Sequence, residues 1–468
     1  MNVRLGFTCI AISLLATSAF SQQPEFPVLG KVKSRSAKEI ASSSWSIGGE
    51  TLDRDFAVYA NYKKYLGPLG AKHIRLQAGW AKCEKTPGVY DFAWLDEIVD
   101  DARTQGVQPW LETSYGNTIY PGGGGTGLGG GFPKTPEAIA AWDKWVKALV
   151  AHFKDRVNEW EIWNEPDGGK SNTPEAYAGL FIRTAETIRG EQPKAKIFAL
   201  GLAGNLNFAE KFLEAVKAGN KLGLIDVLTI HGYPKNPDDT LPMDKARAMV
   251  AQFSAAIEIR QGETGACSTF QPHYALSNMP WSENTQAKWD LRRMLAHRAK
   301  DVPFNLFTIS DMHYVRDGKT DMNYKGLLGT NPDKTISHAK PAYFAAQNVF
   351  AIFDDTLERI ADCSFESNTT NKLTVSAYRS KTAGAQLVAI WFGGSPVAET
   401  NATTPVNFTF KAAQFKEPVL VDLLNGRVRG VPASNWKQEA DGCSFRGIPV
   451  YDSPVLIAER TLLPIIGN

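Results

Sequence analysis

Two glutamates stand at the ends of short apolar runs, and their placement could support acid–base chemistry. Glu165 lies in the segment Trp163-Asn164-Glu165-Pro166, and Glu263 opens the segment Glu263-Thr264-Gly265. Each run is typical of a buried strand, and Pro166 ends the first strand because proline cannot donate to a sheet ladder. Cleavage of a glycosidic bond needs two facing carboxyls of this kind. One is protonated and assists the leaving oxygen, and the other is ionised and attacks the anomeric carbon.

An alternation of strands and helices from about residue 44 to 350 would bring the two glutamates together. The pattern predicts strands at 45–47, 72–76, 107–112, 159–163, 196–200, 227–230, 256–260 and 304–309. It predicts amphipathic helices that include 94–105, 136–153 and 209–218. Eight such units indicate an α/β protein with a closed (β/α)8 TIM barrel over residues 44–350 rather than an open sheet.

The barrel would place Glu165 and Glu263 at its active-site face. They follow the fourth and seventh strands, which lie across the barrel from each other, and both emerge at the carboxyl ends of these strands, where barrel enzymes hold their sites. Facing carboxyls push their pKa values apart, so one stays protonated while the other ionises near neutral pH.

The pattern changes to short strands after about residue 352. Runs at 373–378, 387–392, 406–410, 419–423 and 455–458 are separated by clusters of Gly, Pro, Asn and Ser. This predicts a β-sandwich accessory domain over residues 351–468. Residues 24–43 have no helical pattern and are a candidate extra strand for this domain. No linker precedes the sandwich, which favours a domain packed on the barrel over an independent binding module.

The first 21 residues have the pattern of a signal peptide. Arg4 precedes an apolar stretch from Leu5 to about Leu15, and Ala19-Phe20-Ser21 provides small residues for cleavage after Ser21. The sequence therefore predicts a secreted or periplasmic protein. The apolar stretch is too short for a transmembrane helix, and no later segment is long and apolar enough to span a bilayer.

Export would expose the cysteines to oxidising conditions. Cys83, Cys267, Cys363 and Cys443 would remain after cleavage, and four cysteines allow three pairings. The pair Cys363–Cys443 is favoured because both residues fall in the C-terminal region. Four unpaired thiols are the alternative.

Composition and motifs exclude several other functions. Lys and Arg number 51 against 49 Asp and Glu, for a net charge of +2, so the chain lacks the basic excess of a nucleic-acid binder. The seven His show no metal-ligand spacing, and there is no dinucleotide fingerprint and no GxSxG elbow. We therefore expect a carbohydrate as the partner, with no metal and no cofactor.

Trp163-Asn164-Glu165-Pro166 and Glu263-Thr264-Gly265 resemble the two signatures of clan A glycoside hydrolases. These enzymes share a (β/α)8 barrel with glutamates on strands four and seven. The barrel with a trailing sandwich resembles family 39 in particular, with families 5 and 30 as rivals. The resemblance implies a hydrolase that retains anomeric configuration, with Glu165 as acid/base and Glu263 as nucleophile.

The resemblance also implies roles for four neighbours of the glutamates. Asn164 would hydrogen-bond the sugar 2-hydroxyl, and Arg75, near the end of strand two, would support the ionised nucleophile. His231-Gly232-Tyr233 follows strand six, where the clan places a His and a Tyr. Tyr233 would donate a hydrogen bond to Glu263.

Aromatic side chains after the strands are candidates for stacking on sugar rings. Trp80, Tyr115 and Trp281 follow strands two, three and seven, and core packing is the alternative for each. Many clan members carry a Trp at the end of strand eight. Here that stretch is 308–314 and contains no Trp, so we expect Tyr314 or another aromatic to take its place.

Three functions remain open from the sequence. The first is a retaining glycoside hydrolase that cleaves a β-linked poly- or oligosaccharide. The second is a transglycosidase, which uses the same residues but passes the sugar to another acceptor. The third is a catalytically inactive barrel that binds carbohydrate. Sugar identity, exo or endo action and oligomeric state stay open.

Overall fold

The computed structural model describes residues 26–169 and 171–467, so the predicted signal peptide lies outside the described residues. A first strand, β1 (Val28–Val32), precedes a closed barrel of eight strands. All eight neighbouring pairs in the barrel are parallel, which confirms the predicted (β/α)8 architecture. The barrel strands are β2 (Trp45–Gly48), β3 (His73–Gln77), β4 (Gln108–Thr113), β5 (Glu159–Ile162), β6 (Lys196–Leu202), β7 (Val227–His231), β8 (Glu258–Thr264) and β9 (Phe304–Leu306).

Helices surround the barrel, and their starts follow from local capping. The Thr135 side chain accepts a hydrogen bond from the Ala138 N–H, and Pro136 occupies the first helical position, where its missing N–H costs nothing. The helices are α1 (Tyr59–Leu69), α2 (Trp80–Cys83), α3 (Ala93–Thr104), α4 (Pro136–Phe153), α5 (Pro174–Glu191), α6 (Leu206–Ala218), α7 (Leu241–Ala251), α8 (Glu283–Arg298) and α9 (Pro341–Ile352). In the described residues, no helix is both long and apolar enough to cross a membrane.

Two hairpins that the sequence analysis missed follow the last barrel strand. They are formed by β10 (Met312–Arg316) with β11 (Lys319–Asn323), and by β12 (Leu328–Thr330) with β13 (Ile336–Ala339). The first turns at Asp317-Gly318, a pair that favours tight hairpins because both residues adopt positive φ. Only the ends of the two strands next to the turn are exposed, and polar residues interrupt any apolar alternation, so the pattern did not indicate them.

The C-terminal domain is the predicted sandwich of two antiparallel sheets. An eight-stranded sheet has the order β14-β16-β17-β23-β19-β20-β1-β24, and a four-stranded sheet has the order β15-β18-β22-β21. The strand β1 therefore adds an N-terminal segment to this sheet. The strands are β14 (Leu357–Ile360), β15 (Phe365–Ser367), β16 (Leu373–Ser380), β17 (Gln386–Phe392), β18 (Thr404–Lys411), β19 (Pro418–Asp422), β20 (Arg427–Gly430), β21 (Trp436–Glu439), β22 (Gly442–Val450), β23 (Val455–Glu459) and β24 (Ile465–Ile466).

The favoured disulfide does not form. All four cysteines in the described residues are free thiols. Cys443 lies on β22, and Cys363 precedes β15. Cys443 pairs with Phe410 of β18, and β18 lies between β22 and β15, so it separates Cys443 from the segment that carries Cys363.

The sandwich packs on the barrel through charged groups of α8. Every residue of this helix from Thr285 to His297 is buried, including Arg292. Asp238 of the barrel pairs with Arg292, with a closest N···O distance of 2.6 Å. The same carboxylate accepts hydrogen bonds from Trp391 Nε1 at 3.0 Å and from the Gly394 N–H at 2.8 Å, both in the sandwich. One buried carboxylate thus ties the two domains together.

We expect Asp238→Ala to reduce the free energy of unfolding by about 3–5 kcal/mol, because it leaves the Arg292 charge buried without a carboxylate partner and with only the Asn236 and Ser395 oxygens beside it. Urea unfolding followed by circular dichroism measures the loss. Asp155→Ala, at an exposed position on the barrel, is the control and should cost less than about 0.5 kcal/mol. Equal losses in the two variants would contradict the role given to Asp238.

Candidate active site

A cavity of about 370 Å³ opens at the carboxyl ends of the barrel strands. Glu165 directly follows the short loop after β5, and Glu263 lies near the end of β8. Both line the cavity, together with groups from several other loops. Other lining residues include Glu50, Arg54, Phe56, Gln77, Tyr115, Asn164, Tyr233, Tyr274, Tyr314, Asn323 and Lys325.

The two glutamates face each other as predicted from the topology. His231 Nδ1 lies 2.8 Å from Glu165 Oε1 and 3.6 Å from Glu263 Oε2. One oxygen of each carboxyl and the His231 nitrogen all lie within 4.8 Å of one another. A divalent ion could occupy such a group, but the direct hydrogen bond between His231 and Glu165 already accounts for their closeness.

Burial makes Glu165 suitable as an acid. Its pKa is raised to about 7, first by burial and then by the negative charge of Asp167, while Arg75 acts in the opposite direction. The residue has positive φ, at 47°, a conformation that is uncommon for residues other than glycine. Its N–H donates to the Gly201 carbonyl at 2.9 Å, which holds this turn in place.

His231 is a neutral donor to Glu165. Burial lowers its pKa to about 4, so the ring carries no charge at neutral pH. Among the residues that the structure describes, the ring makes its hydrogen bond through Nδ1, and the buried Nε2 has no partner. The network therefore favours the tautomer in which Nδ1–H donates to Glu165 Oε1.

Two donors fix the Glu263 carboxylate. Tyr233 Oη donates to Oε1 at 2.5 Å, and Arg75 Nη1 donates to Oε2 at 3.3 Å. Burial and the Glu263 charge raise the pKa of Tyr233 well above its usual value, so its hydroxyl stays a donor at neutral pH. The contact between Tyr233 and Glu263 is the one that the family resemblance implied.

Arg75 and Asn164 form the floor of the site. Arg75, on β3, is fully buried, and its Nη2 donates to Asn164 Oδ1 at 2.8 Å. Asn164 Nδ2 donates in turn to Tyr115 Oη at 2.9 Å. These two contacts fix which way the Asn164 amide faces at the edge of the cavity.

The structure brings most of the predicted residues to the site, but not the two tryptophans. Trp80 is fully buried in the barrel wall, where it stacks on Tyr120 with ring centroids 5.6 Å apart and donates to Glu84. Trp281 packs in a separate apolar cluster and donates to the Leu276 carbonyl at 2.8 Å. Neither lines the cavity, because each ring fills core volume away from the barrel mouth.

The two tyrosines that were predicted as aromatic contacts do line the cavity. Tyr115 and Tyr314 line the cavity, and the Tyr314 ring packs edge-on against Phe56 and Tyr274 at centroid distances of 5.2 and 5.0 Å. The hairpin of β10 and β11 carries Tyr314 over the barrel mouth. Tyr314, Phe56 and Tyr274 thus form an aromatic cluster beyond β9, the eighth barrel strand, where the sequence has no Trp.

The sequence analysis missed several lining residues. Glu50 had a usable signal, since it is an acidic residue two positions beyond a barrel strand. Arg54, Phe56, Tyr274 and Lys325 lie in loops or beyond a hairpin, where no periodicity indicates which side chains turn inward.

We expect Asp167→Asn to lower the pKa of Glu165, by about one unit at most, because it removes a negative charge that favours the protonated form. A carbon-13 NMR titration of the glutamate carboxyls measures this, with Glu165→Gln used to assign the signal. Asp155→Asn, far from the site, is the control. An unchanged or higher pKa in Asp167→Asn would contradict this account of the Glu165 environment.

Solved structures share the arrangement of barrel and sandwich. A family 39 glycoside hydrolase from Bacteroides cellulosilyticus WH2 aligns with a TM-score of 0.62 and 19% identity, over 89% of this chain and 81% of that one. A monomeric beta-xylosidase from Caulobacter crescentus CB15 aligns with a TM-score of 0.59 and 16% identity, over 92% and 97% of the two chains. A GH30 endoxylanase from Clostridium papyrosolvens C71 has a TM-score of 0.59 and 15% identity, over 93% and 98%. At these identities the likeness shows the fold.

Sequence comparison identifies the family. A Beta-1,4-xylanase from Dictyoglomus thermophilum is 29% identical over 166 residues, which cover 35% of this chain and 43% of that protein. The match thus spans less than half of this relative. The sequence model of the family Glycosyl hydrolases family 39 matches residues 79–443, which include both glutamates and most of the sandwich. The chain belongs to glycosyl hydrolases family 39.

Proposed function

We propose that this protein is a retaining glycoside hydrolase that cleaves a β-glycosidic bond by double displacement. The observation that carries the proposal is the closeness of the two carboxyls, with oxygens of Glu165 and Glu263 within 4.8 Å of each other. Retaining enzymes hold their carboxyl groups about 5–5.5 Å apart, whereas inverting enzymes leave about 6.5–9.5 Å for a water molecule. The separation therefore favours direct attack by one carboxylate.

In the first step, a Glu263 oxygen forms a bond to the anomeric carbon, and the bond from that carbon to the leaving oxygen breaks. Glu165 gives its proton to that oxygen, a role that fits its pKa of about 7. Tyr233 and Arg75 hold Glu263 in line while its carboxylate becomes an ester, and the negative charge ends on Glu165. Asn164, with its amide fixed by Arg75 and Tyr115, is placed to contact the sugar 2-hydroxyl.

In the second step, Glu165, now a carboxylate, takes a proton from water. The water oxygen bonds to the anomeric carbon from the face that the leaving group vacated, and Glu263 departs. Glu165 regains its proton for the next turnover. Two inversions give net retention.

A xylose-containing β-linked glycan is the first substrate class to test. The similarity to the Caulobacter beta-xylosidase and the Dictyoglomus Beta-1,4-xylanase supports this choice. Tyr115 and Tyr314 provide aromatic faces at the cavity on which a pyranose ring could pack. Aryl β-xylosides, β-glucosides and β-galactosides, with xylan, form a suitable panel.

We expect Glu263→Ala to lose turnover and Glu165→Ala to lose about 10²–10⁴-fold in kcat/KM on substrates with poor leaving groups. With a dinitrophenyl leaving group the Glu165→Ala loss should shrink, because that group departs without a proton. Azide should rescue both variants. Glu263→Ala should give the glycosyl azide of inverted configuration and Glu165→Ala the azide of retained configuration.

Proton NMR of the first-formed product tests the assignment directly. The unmodified enzyme should release a sugar of retained configuration, and Asp155→Ala should behave like it. An inverted first product would contradict double displacement and the nucleophile role of Glu263, and azides of the opposite configurations would show that the two roles are exchanged. Transfer to added acceptor sugars in preference to water would identify a transglycosidase, and sugar binding without turnover on the whole panel would identify an inactive barrel.

We also propose that the enzyme acts outside the cytoplasm. The charged start, the apolar stretch and the small residues before Gln22 support export. N-terminal sequencing of the protein recovered from the periplasm or medium of a bacterial host should begin at Gln22. Recovery of the chain only from the cytoplasm with its N-terminus intact would contradict the proposal.

A further inference from the structure

One guanidinium at the floor of the site faces four carboxyl groups. Arg75 contacts Glu161 through Nε at 2.7 Å and Glu112 through Nη2. Its Nη1 is shared between Glu50 Oε1 at 3.1 Å and Glu263 Oε2 at 3.3 Å. A single positive charge cannot balance four negative ones in a buried cluster, so at least one of these carboxyls has to carry a proton.

Three of the four carboxyls accept hydrogen bonds on both oxygens, and the fourth does not. Glu112 accepts from Gln77 as well as from Arg75, Glu161 accepts from Thr229 as well as from Arg75, and Glu263 accepts from Tyr233 as well as from Arg75. In each of the three, both oxygens receive a donor, which favours the ionised form. The contacts are those of Gln77 Nε2 to Glu112 Oε1, Thr229 Oγ1 to Glu161 Oε1 and Tyr233 Oη to Glu263 Oε1.

Glu50 lacks this second donor. Its Oε2 is buried and has no hydrogen-bond partner among the residues that the structure describes. The carboxyl folds back over Gly48, such that a Cβ on residue 48 would lie only 2.2 Å from Oε2. Glycine at position 48 therefore leaves the space in which the Glu50 carboxyl lies. Of the four carboxyls on Arg75, Glu50 loses least when it takes a proton.

We propose that Glu50 is a positioning residue that works as a neutral carboxylic acid, holding Arg75 Nη1 beside the nucleophile Glu263 without adding a negative charge. This role deepens the proposed function and rests on it. In the neutral state Glu50 offers Nη1 a carbonyl-like acceptor, and the Arg75 charge is left for Glu112, Glu161 and Glu263. Ionised Glu50 would compete with Glu263 for the same nitrogen and draw it out of line.

The surrounding charges agree with a neutral Glu50. Burial raises its pKa to about 8, and the neighbouring Glu263 raises it further while Arg75 lowers it. Burial also raises the pKa of Glu112, to about 7, while Arg75 acts in the opposite direction. The other titratable groups that feel the Glu50 charge are tyrosine hydroxyls from α1 and from the cavity wall, namely Tyr62, Tyr233 and Tyr314.

Infrared spectroscopy tests the protonation state without any substrate. Difference spectra between pH 6 and pH 10 should show carbonyl bands of buried protonated carboxyls that disappear as pH rises, with midpoints near 7 for Glu165 and Glu112 and near 8 for Glu50. The band with the midpoint near 8 should be absent from Glu50→Gln and present in Glu112→Gln, a matched change at the same guanidinium. Loss of the band in Glu112→Gln but not in Glu50→Gln would overturn the proposal.

Activity tests the positioning role. A dinitrophenyl β-xyloside, or the best dinitrophenyl glycoside of the panel, is the substrate for this test. Its leaving group departs without a proton from Glu165. In the unmodified enzyme, kcat/KM should be several-fold lower at pH 9 than at pH 6. In Glu50→Gln, the two values should be nearly equal. Gly48→Ala, which displaces the Glu50 carboxyl, should lower kcat more than it raises KM.

The two readouts separate the two ways of failing. An enzyme that turns over no glycoside but shows the band assigned to Glu50 would overturn the proposed function and leave the neutral acid in place. Retaining hydrolysis with an alkaline limb that persists unchanged in Glu50→Gln would overturn the positioning role alone. Thermal unfolding of each variant shows whether an activity loss comes from unfolding.

Discussion

The buried guanidinium of Arg75 is the interaction on which the rest of the site depends. It lies on β3 inside the barrel and contacts groups from four other strands or strand ends, through Glu50, Glu112, Glu161, Asn164 and Glu263. Removing a charge of this kind from water costs several kcal/mol unless partners surround it. The barrel supplies those partners, and the same contacts that satisfy Arg75 orient Glu263 and Asn164.

The two glutamates acquire different roles from different surroundings. Glu165 is buried beside Asp167 and accepts from a neutral His231, so it keeps a proton to about pH 7. Glu263 accepts from Tyr233 and from a permanent cation. One side of the cavity therefore favours an acid and the other a carboxylate, which is the asymmetry that double displacement requires. The proposed neutral Glu50 adds to this asymmetry, because it does not compete with Glu263 for the positive charge of Arg75.

The sandwich contributes to this arrangement from outside the cavity. Asp238 joins Arg292 of the buried helix α8 to Trp391 of β17. The helix α8 also packs against β9, and its Asp290 accepts a hydrogen bond from the Ala266 N–H just beyond β8. A helix that is buried on all sides cannot be amphipathic, and its charged residues need partners on the second domain. The accessory domain is thus part of the structural support of the barrel.

The sequence by itself indicated the barrel, the sandwich and the facing pair of Glu165 and Glu263, because these depend on local patterns. Apolar runs that end in Glu165 and Glu263 identify strand ends, and strand order then places the two across the barrel. Tertiary structure alone decided which aromatic side chains reach the cavity, since Trp80 and Trp281 follow strands as Tyr115 does but fill core volume instead. It also decided that Glu50 joins Arg75, because a carboxyl's partners and its proton depend on the space and charges that distant segments create around it.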